Sequence, residues 1–292
     1  MLNRVAIYSK EGNPKTAVVI NKLIDEFSDR KIEVFLYQKQ FKAVPAKEIG
    51  KVLKFNDPGD LAVLPDLVLS VGGDGTFLET VLNIGAFGIP VAGVNTGRMG
   101  FLANIPEDGI SKSIDQICCG DYEIIERALL EITQPENLFG SGPQVALNEI
   151  TLQKTDPRMI TINVYTDNIY LNTYWADGLI VSTATGSTAY NLSVGGPILS
   201  PEDQSIIISP ISSHNLTNRP IIVTGDTVLR MVVEGRSTDF LATCDFRSGK
   251  VQFGKEIGIR QSSEKLKTVM LKGTDFYSTL RNKLMWGADR RN

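Results

Sequence analysis

The chain has 292 residues, 42% of them hydrophobic and 22% charged, and a formal net charge of -3, enough for one large or two ordinary domains with their own cores. The acidic balance argues against a nucleic-acid binder, whose footprint is a strongly basic face. No apolar run approaches the roughly 18 residues of a membrane span, and MLNRVAIYSK lacks the apolar stretch of a signal peptide, so a cytoplasmic protein with neither membrane nor nucleic-acid partners is predicted.

The first hundred residues alternate strand-like and helix-like pieces. RVAIYS reads as a strand, PKTAVVINKLIDEFSDR has helical spacing with Pro14 near its start, and IEVFLY is a second strand. LVLSV and PVAGVN follow as further strands. That order predicts βαβ units and a parallel, Rossmann-like sheet covered by helices, with ligands at the carboxyl ends of the strands. Two glycine-rich segments fall there, GGDGT after LVLSV and NTGRMGFL across the end of PVAGVN. In GGDGT, Gly72, Gly73 and Gly75 permit close approach of a ligand to the backbone, and Thr76 and the residues after it open a helix whose free amides suit a phosphate. Asp74 in that turn reads either as a helix cap or as a group aimed at a ligand. Neither the lysine of a Walker loop nor the GxGxxG spacing of a dinucleotide fingerprint is present.

PEDGISKSIDQICCG carries a helix start at Pro106 and a glycine stop at Gly120 and is expected to bridge two halves. Its adjacent cysteines, Cys118 and Cys119, and the distant Cys244 have no CxxC spacing, which speaks against a disulfide framework or a zinc site. From Ala128 onward short β-branched segments dominate, among them VALNEITL, MITINVYT, GLIVST, SIIIS, TVLRMVV and FLATC, and they predict an all-β, sandwich-like domain. The expected division is 1–104 for the α/β domain, 105–272 for the β-rich domain, and 273–292 for a helix in FYSTLRNKLMW that packs back on the first domain.

Three polar clusters interrupt the β pattern. Asn148 and Glu149 are neighbours in an apolar strand, so one of them faces the core unless the strand ends or bulges there. The stretch YWADGLIVSTATGSTAYNLSVGGPI reads as a loop and short helix around a ligand rich in hydroxyls or amides. ATCDFRSG places Asp245 and Arg247 two residues apart, on one face if the strand continues.

Taken together, GGDGT, NTGRMGFL, NE and DGLIVSTATGSTAYNLSVGGPI, in this order and separation, resemble the NAD kinase family, which makes NADP from NAD. GGDGT alone also resembles the loop of lipid kinases and phosphofructokinases. The resemblance implies an α/β domain, a β-rich domain, an active site between them and a homodimer or homotetramer. It makes Asp74 the general base on the 2′-hydroxyl of the adenosine ribose, with Gly72, Gly73, Gly75 and Thr76 as the donor-phosphate loop. It implies ATP or polyphosphate as donor, with a divalent metal ion such as Mg2+.

The same resemblance assigns Asn148 and Glu149 to the riboses and adenine and Asp177 to the nicotinamide side. Thr188, Ala189, Tyr190, Asn191, Leu192 and Ser193 fall in its adenine and ribose segment. Asp245 and Arg247, Phe101 as a pocket wall or core residue, and Arg158 and Trp175 complete the expected NAD-binding set, Trp175 as a strand-face neighbour of Asp177. His214 in SSHNL falls near a family site loop or on the surface. Arg247 stands where relatives commonly carry glutamine, which predicts a contact with nucleotide phosphate. A GGDGT lipid kinase and a non-catalytic nicotinamide nucleotide sensor are the alternatives. The first calls for a membrane-docking segment, which the sequence lacks, and the second has no need of a base at Asp74.

Overall fold

A computed structural model of the protein describes residues 2–10, 14–39, 52–56, 64–84, 88–97, 100–140 and 142–285. The chain forms two compact units, Met1–Glu126 with Leu266–Asn292, and Arg127–Lys265.

The first unit opens with β1 (Arg4–Ser9), α1 (Pro14–Asp29), β2 (Glu33–Tyr37), β3 (Val52–Phe55), β4 (Leu67–Gly72), α2 (Asp74–Ile84), β5 (Val91–Asn95), β6 (Ala103–Ile105) and α3 (Ile110–Cys118). The strands pair in parallel in the order β5-β4-β1-β2-β3, with β6 also parallel to β5. β4 and β5 are buried on both faces, which is why LVLSV and VAGV read as continuous apolar runs rather than alternating ones. The core combines Val5 and Ile7 of β1, Leu69 and Val71 of β4, Leu23 and Phe27 of α1, and Ile110, Ile114 and Ile117 of α3.

The second unit takes in most of β7 (Tyr122–Gln134), then β8 (Val145–Ala146), β9 (Glu149–Lys154), β10 (Ile160–Thr166), β11 (Ile169–Ala176), β12 (Gly178–Ser182) and α4 (Tyr190–Ser193). It continues through β13 (Ile206–Ile211), β14 (Ile221–Val223), β15 (Leu229–Glu234), β16 (Asp239–Cys244), β17 (Arg247–Gln252) and the first part of β18 (Glu256–Leu271). One antiparallel sheet runs β14-β13-β12-β9-β16-β17, and β11-β10-β15-β18 forms another. Ile150 and Leu152 of β9, Leu179 and Val181 of β12, and Phe240 and Ala242 of β16 pack with Ile162 of β10 and Met231 of β15, so the unit is a β-sandwich. After β18 the chain ends its described part in α5 (Phe276–Leu284), which belongs to the first unit.

The units divide at Glu126/Arg127 and Lys265/Leu266, not at 104/105 and 272/273. The α3 helix is no bridge, because its isoleucines join the core of the first unit, as do Val269 and Leu271 of β18. The stretch expected to be a loop and short helix opens with the end of β11 and all of β12, the latter within the strand-like GLIVST; its loop begins at Thr183 and its short helix is α4.

Candidate active site

In the first unit β4 ends at Gly72, in register with Asn95 at the end of β5, and α2 begins at Asp74. The glycines of the turn do different jobs. A Cβ on Gly72 would lie 2.3 Å from the Thr76 hydroxyl oxygen, so its bareness makes room for Thr76 rather than for a ligand. A Cβ on Gly73 or Gly75 would meet nothing within 4 Å, so both leave backbone facing open space at a helix N-terminus.

Asp74 lies between these two. Its Oδ2 accepts from the Phe101 amide at 2.9 Å, and its Oδ1 from the amides of Leu102 and Ala103, both at 3.1 Å. Nζ of Lys283, on the last turn of α5, is 3.5 Å from Oδ2. Gly100 allows this nesting, because a Cβ there would sit 1.8 Å from Asp74 Oδ1. Asp74 thus stands first in α2 and also ties down the segment after NTG, a role that neither sequence reading foresaw. Arg98 and Met99 of that motif lie outside the described residues. Phe101 is half-buried, its ring 6.3 Å from that of Phe276, while the Lys283 ammonium is 4.2 Å from its ring centre. A cavity of about 480 Å3 beside the same strand ends is lined by Lys15, Asn95, Thr96, Gly97, Pro106 and Glu107.

In the second unit, β9, β12 and β16 end together: Glu149 pairs with Ser182, and Ile150 with Cys244. One face of these strands is the apolar core. Period two puts Glu149, Thr151 and Gln153 on the other face, opposite Ser182, Gly178 and Thr243. Although polar, this face is largely covered: Thr151, Ser182 and Ser209 are buried, and Glu149 is 9% exposed. The cover is the 183–200 segment. Asn191 fastens it, donating to the carbonyls of Ser187 and Pro197 and accepting from the Ser209 hydroxyl at 2.6 Å. With its amide engaged in this way and its side chain fully buried, Asn191 serves the loop rather than a ligand. Leu192 is half-buried and Ser193 exposed, while Thr188 and Ala189 are half-buried at the foot of the loop, their hydroxyl and amide turned to the carbonyls of Thr185 and Gly186. Tyr190 reaches along the face so that its hydroxyl accepts from Gln153 at 3.2 Å.

The NE pair is a strand break, with Asn148 before β9 and Glu149 its first residue. Asp245 makes the break. Its Oδ2 accepts from the Leu147 amide at 2.8 Å, and its Oδ1 from Asn148 at 2.8 Å and Glu149 at 3.2 Å. The Asn148 carbonyl is covered by the Thr183 amide, and a Cβ on Gly186 would strike it at 2.1 Å. The Asn148 side chain makes no hydrogen bond to the described residues. Glu149 accepts from the Tyr190 amide, yet its Oε2 is buried without a partner. Burial, and then the neighbouring Asp245, push the Glu149 carboxyl up to about 8. Burial raises Asp245 as well, against the pull of the three amides. A half-satisfied carboxyl on a polar, covered sheet face is suited to receiving a hydroxyl group.

Other expected residues are placed differently. Asp245 and Arg247 share no strand face, because Cys244 pairs with Arg247 across a tight hairpin in which Asp245 takes φ 51°. The Arg247 guanidinium donates to the carbonyls of Pro143 and Val145, the latter at 2.7 Å, and lies 4.9 Å from the Phe139 ring centre. Trp175 and Asp177 also share no face, since Asp177 is the crossover between β11 and β12, which lie in different sheets. Asp177 pairs with Lys154 Nζ at 2.5 Å. It lies beyond the far end of β12 from Glu149, about 17 Å away at the rise of a strand. Trp175, 56% exposed, lines a cavity of about 500 Å3 with Arg158 and Arg236, and Arg158 is itself held by Asp156 at 2.6 Å. His214 is exposed, its amide bonded to the Trp175 carbonyl.

Gly100, Lys283, Lys154 and Gln153 were not singled out from sequence. Gly100 stands in a motif that was, whereas the other three carry no local signal.

Residues 36–122 match the model of the ATP-NAD kinase N-terminal domain and residues 147–271 that of the ATP-NAD kinase C-terminal domain. The chain is 37% identical over 293 residues to the NAD kinase of Flavobacterium johnsoniae, covering 99% of this chain and 100% of that protein. It is 42% identical to the NAD kinase of Porphyromonas gingivalis, covering 98% and 99%, and 46% identical to that of Cytophaga hutchinsonii, covering 78% of each. Among solved structures, yeast NADH kinase complexed with NADH has a TM-score of 0.87 at 24% identity, covering 99% of this chain and 89% of that one. An NAD kinase from Archaeoglobus fulgidus in complex with ATP has a TM-score of 0.74 at 24% identity, covering 97% and 98%. The structural likenesses are likenesses of fold, whereas the two domain models and the curated relatives cover the segments that carry both constellations, and on that ground the chain belongs to the NAD kinase family.

Proposed function

We propose that the protein is a cytoplasmic NAD kinase, transferring the terminal phosphoryl group of ATP or polyphosphate to the 2′-hydroxyl of the adenosine ribose of NAD, as a homodimer or homotetramer. The observation that carries this reading is the GGDGT turn, in which a carboxylate stands between two bare glycines at a helix N-terminus. Phosphoryl transfer asks mainly for alignment and for charge neutralisation. Gly73 and Gly75 give backbone to the donor's phosphates, and the cavity at Asn95 and Gly97 has the volume for the rest of the donor. Asp74 orients the acceptor hydroxyl and takes its proton as the new bond forms, because an alcohol is too weak an acid to ionise beforehand.

The second unit holds the dinucleotide. Glu149 and Tyr190 lie along one sheet face, with Asn148 just before the strand, and Asp177 stands about 17 Å from Glu149, a separation matching the length of an extended dinucleotide. Glu149 in its protonated form donates to a ribose oxygen and in its ionised form accepts from a ribose hydroxyl. Among the described residues no three His, Cys, Asp or Glu side chains converge on a metal position. A divalent ion such as Mg2+, brought with the donor as part of the substrate, would supply neutralisation of the charge that develops.

The test is incubation of the protein with NAD, Mg2+ and either ATP or polyphosphate, followed by detection of NADP with an NADP-specific dehydrogenase. No NADP with either donor overturns the reading.

A further inference from the structure

A transferring phosphoryl group spreads negative charge over its equatorial oxygens, and the GGDGT turn has no cation to meet it. Lys283 is 3.5 Å from Asp74 Oδ2, its side chain 33% exposed. It rides on a fixed helix rather than a loose tail. Asp275 caps α5 by accepting from the Ser278 amide at 2.8 Å, Leu280 is buried, and Phe276 lies against Phe101.

Both oxygens of Asp74 are already engaged, Oδ1 by the amides of Leu102 and Ala103, and Oδ2 by the Phe101 amide and Lys283. Among the described residues, Lys283 is the one partner of Asp74 that is not a backbone amide. The amides leave only if the turn unravels, whereas an ammonium on a four-carbon stem swings away freely. An acceptor hydroxyl therefore reaches Asp74 where Lys283 stands. The reacting phosphorus must lie roughly 3–3.5 Å beyond that hydroxyl oxygen, so an ammonium displaced from Oδ2 has the oxygens of the donor's terminal phosphate within its swing.

We propose that Lys283 is a further catalytic residue. It keeps Asp74 paired until substrates arrive, then yields Oδ2 to the acceptor hydroxyl and moves onto the terminal phosphate of the donor, as the cation the GGDGT turn lacks. The inference rests on the NAD kinase reading above. In the step itself the acceptor oxygen bonds to phosphorus as the bond from phosphorus to the bridging oxygen breaks. The electron pair departs with the shortened donor, the hydroxyl proton passes to Asp74, and Lys283 stays protonated throughout.

The test is steady-state kinetics of the full chain with NAD and Mg-ATP varied separately. Lys283→Met keeps the stem and removes the charge. Its expected effect is a donor KM about tenfold higher and a kcat lower by roughly 10- to 100-fold, the range for losing one electrostatic contact in a transition state. The KM for NAD stays within about twofold, and Lys283→Arg recovers most of the loss. A Lys283→Met enzyme with kcat and donor KM within about twofold of wild type overturns the proposal. So does an equal rise of both KM values together with a lowered melting temperature, the mark of a mere prop. Should Lys283→Met not fold, Lys283→Gln is measured in the same way. A wild type that makes no NADP overturns the underlying reading as well, whereas an active wild type indifferent to Lys283 overturns this proposal alone.

Discussion

Adding one methyl group at Gly100 tests whether the geometry around Asp74 governs turnover. The new Cβ would lie 1.8 Å from Asp74 Oδ1, 2.5 Å from Cγ and 2.8 Å from Oδ2. Opening the shortest of these contacts to a tolerable separation moves the carboxylate by about 1 Å or more, at odds with the amides of Phe101, Leu102 and Ala103 that hold it. A misplacement of about 1 Å in a reacting constellation costs on the order of 100-fold in rate. Gly100→Ala should therefore lower kcat by about that factor while leaving NAD affinity, which the proposed function assigns mainly to the second unit, nearly unchanged. The assay is NADP formation at saturating substrates, with NAD binding by calorimetry. A double-mutant cycle locates the cause: in an Asp74→Asn background the alanine should add little further loss, because the same group has already been disabled. A Gly100→Ala enzyme within twofold of wild type, or losses that multiply in the double mutant, would refute the reasoning.

Asp74→Asn keeps the size but removes the proton acceptor and sets an amide nitrogen against backbone N–H groups that the carboxylate accepted, so kcat should fall by about 100-fold or more, as read from initial rates, together with a lowered melting temperature. The Glu149 carboxyl, raised from 4.5 to about 8 by burial, favours the fold in its protonated form. Its stabilising contribution is full below about pH 4.5 and is lost as the pH rises through about 8. Thermal melts of Glu149→Gln should show a smaller loss of stability from pH 5 to pH 8 than wild type. Arg247→Gln abandons the carbonyls of Pro143 and Val145 and should cost stability of about 2 kcal/mol in urea, with the ratio of NAD to NADP affinity unchanged. Asp245→Ala leaves three amides of the NE break without an acceptor, and NAD binding by calorimetry should weaken at least tenfold, about 1.4 kcal/mol.

Much of the fold was legible because burial leaves a period in the sequence. RVAIYS and LVLSV correspond to β1 and β4, and the helical spacing of PKTAVVINKLIDEFSD corresponds to α1. β18 was missed because Arg260, Ser262, Ser263, Glu264 and Lys265 interrupt its apolar residues along an exposed stretch. The α3 helix was visible from its start signal at Pro106 and its glycine stop at Gly120, but which core receives Ile110, Ile114 and Ile117 is tertiary information.

At the site, the same limit applied residue by residue. GGDGT announces a turn locally, whereas the Asp74–Lys283 pair joins distant parts of the chain that share no pattern. Asp245 stood out, but its role did not: only the hairpin geometry turns its carboxylate to the Leu147–Glu149 amides. Asn191 lay in the right segment, yet nothing local says that its amide serves Ser187, Pro197 and Ser209.

Beside the base role proposed for it, Asp74 has a structural job with an evolutionary consequence. It is a knot in the backbone, tying the 101–103 segment to the start of α2. Suppose a descendant of this chain stopped transferring phosphoryl groups and only bound nucleotide. Selection for folding would still keep the aspartate, together with Gly100 that makes room for it. Lys283, exposed and making no comparable backbone contact, would be free to drift. Within such a lineage, an aspartate in GGDGT marks a chain that folds, and a cation on the C-terminal helix marks one that still works.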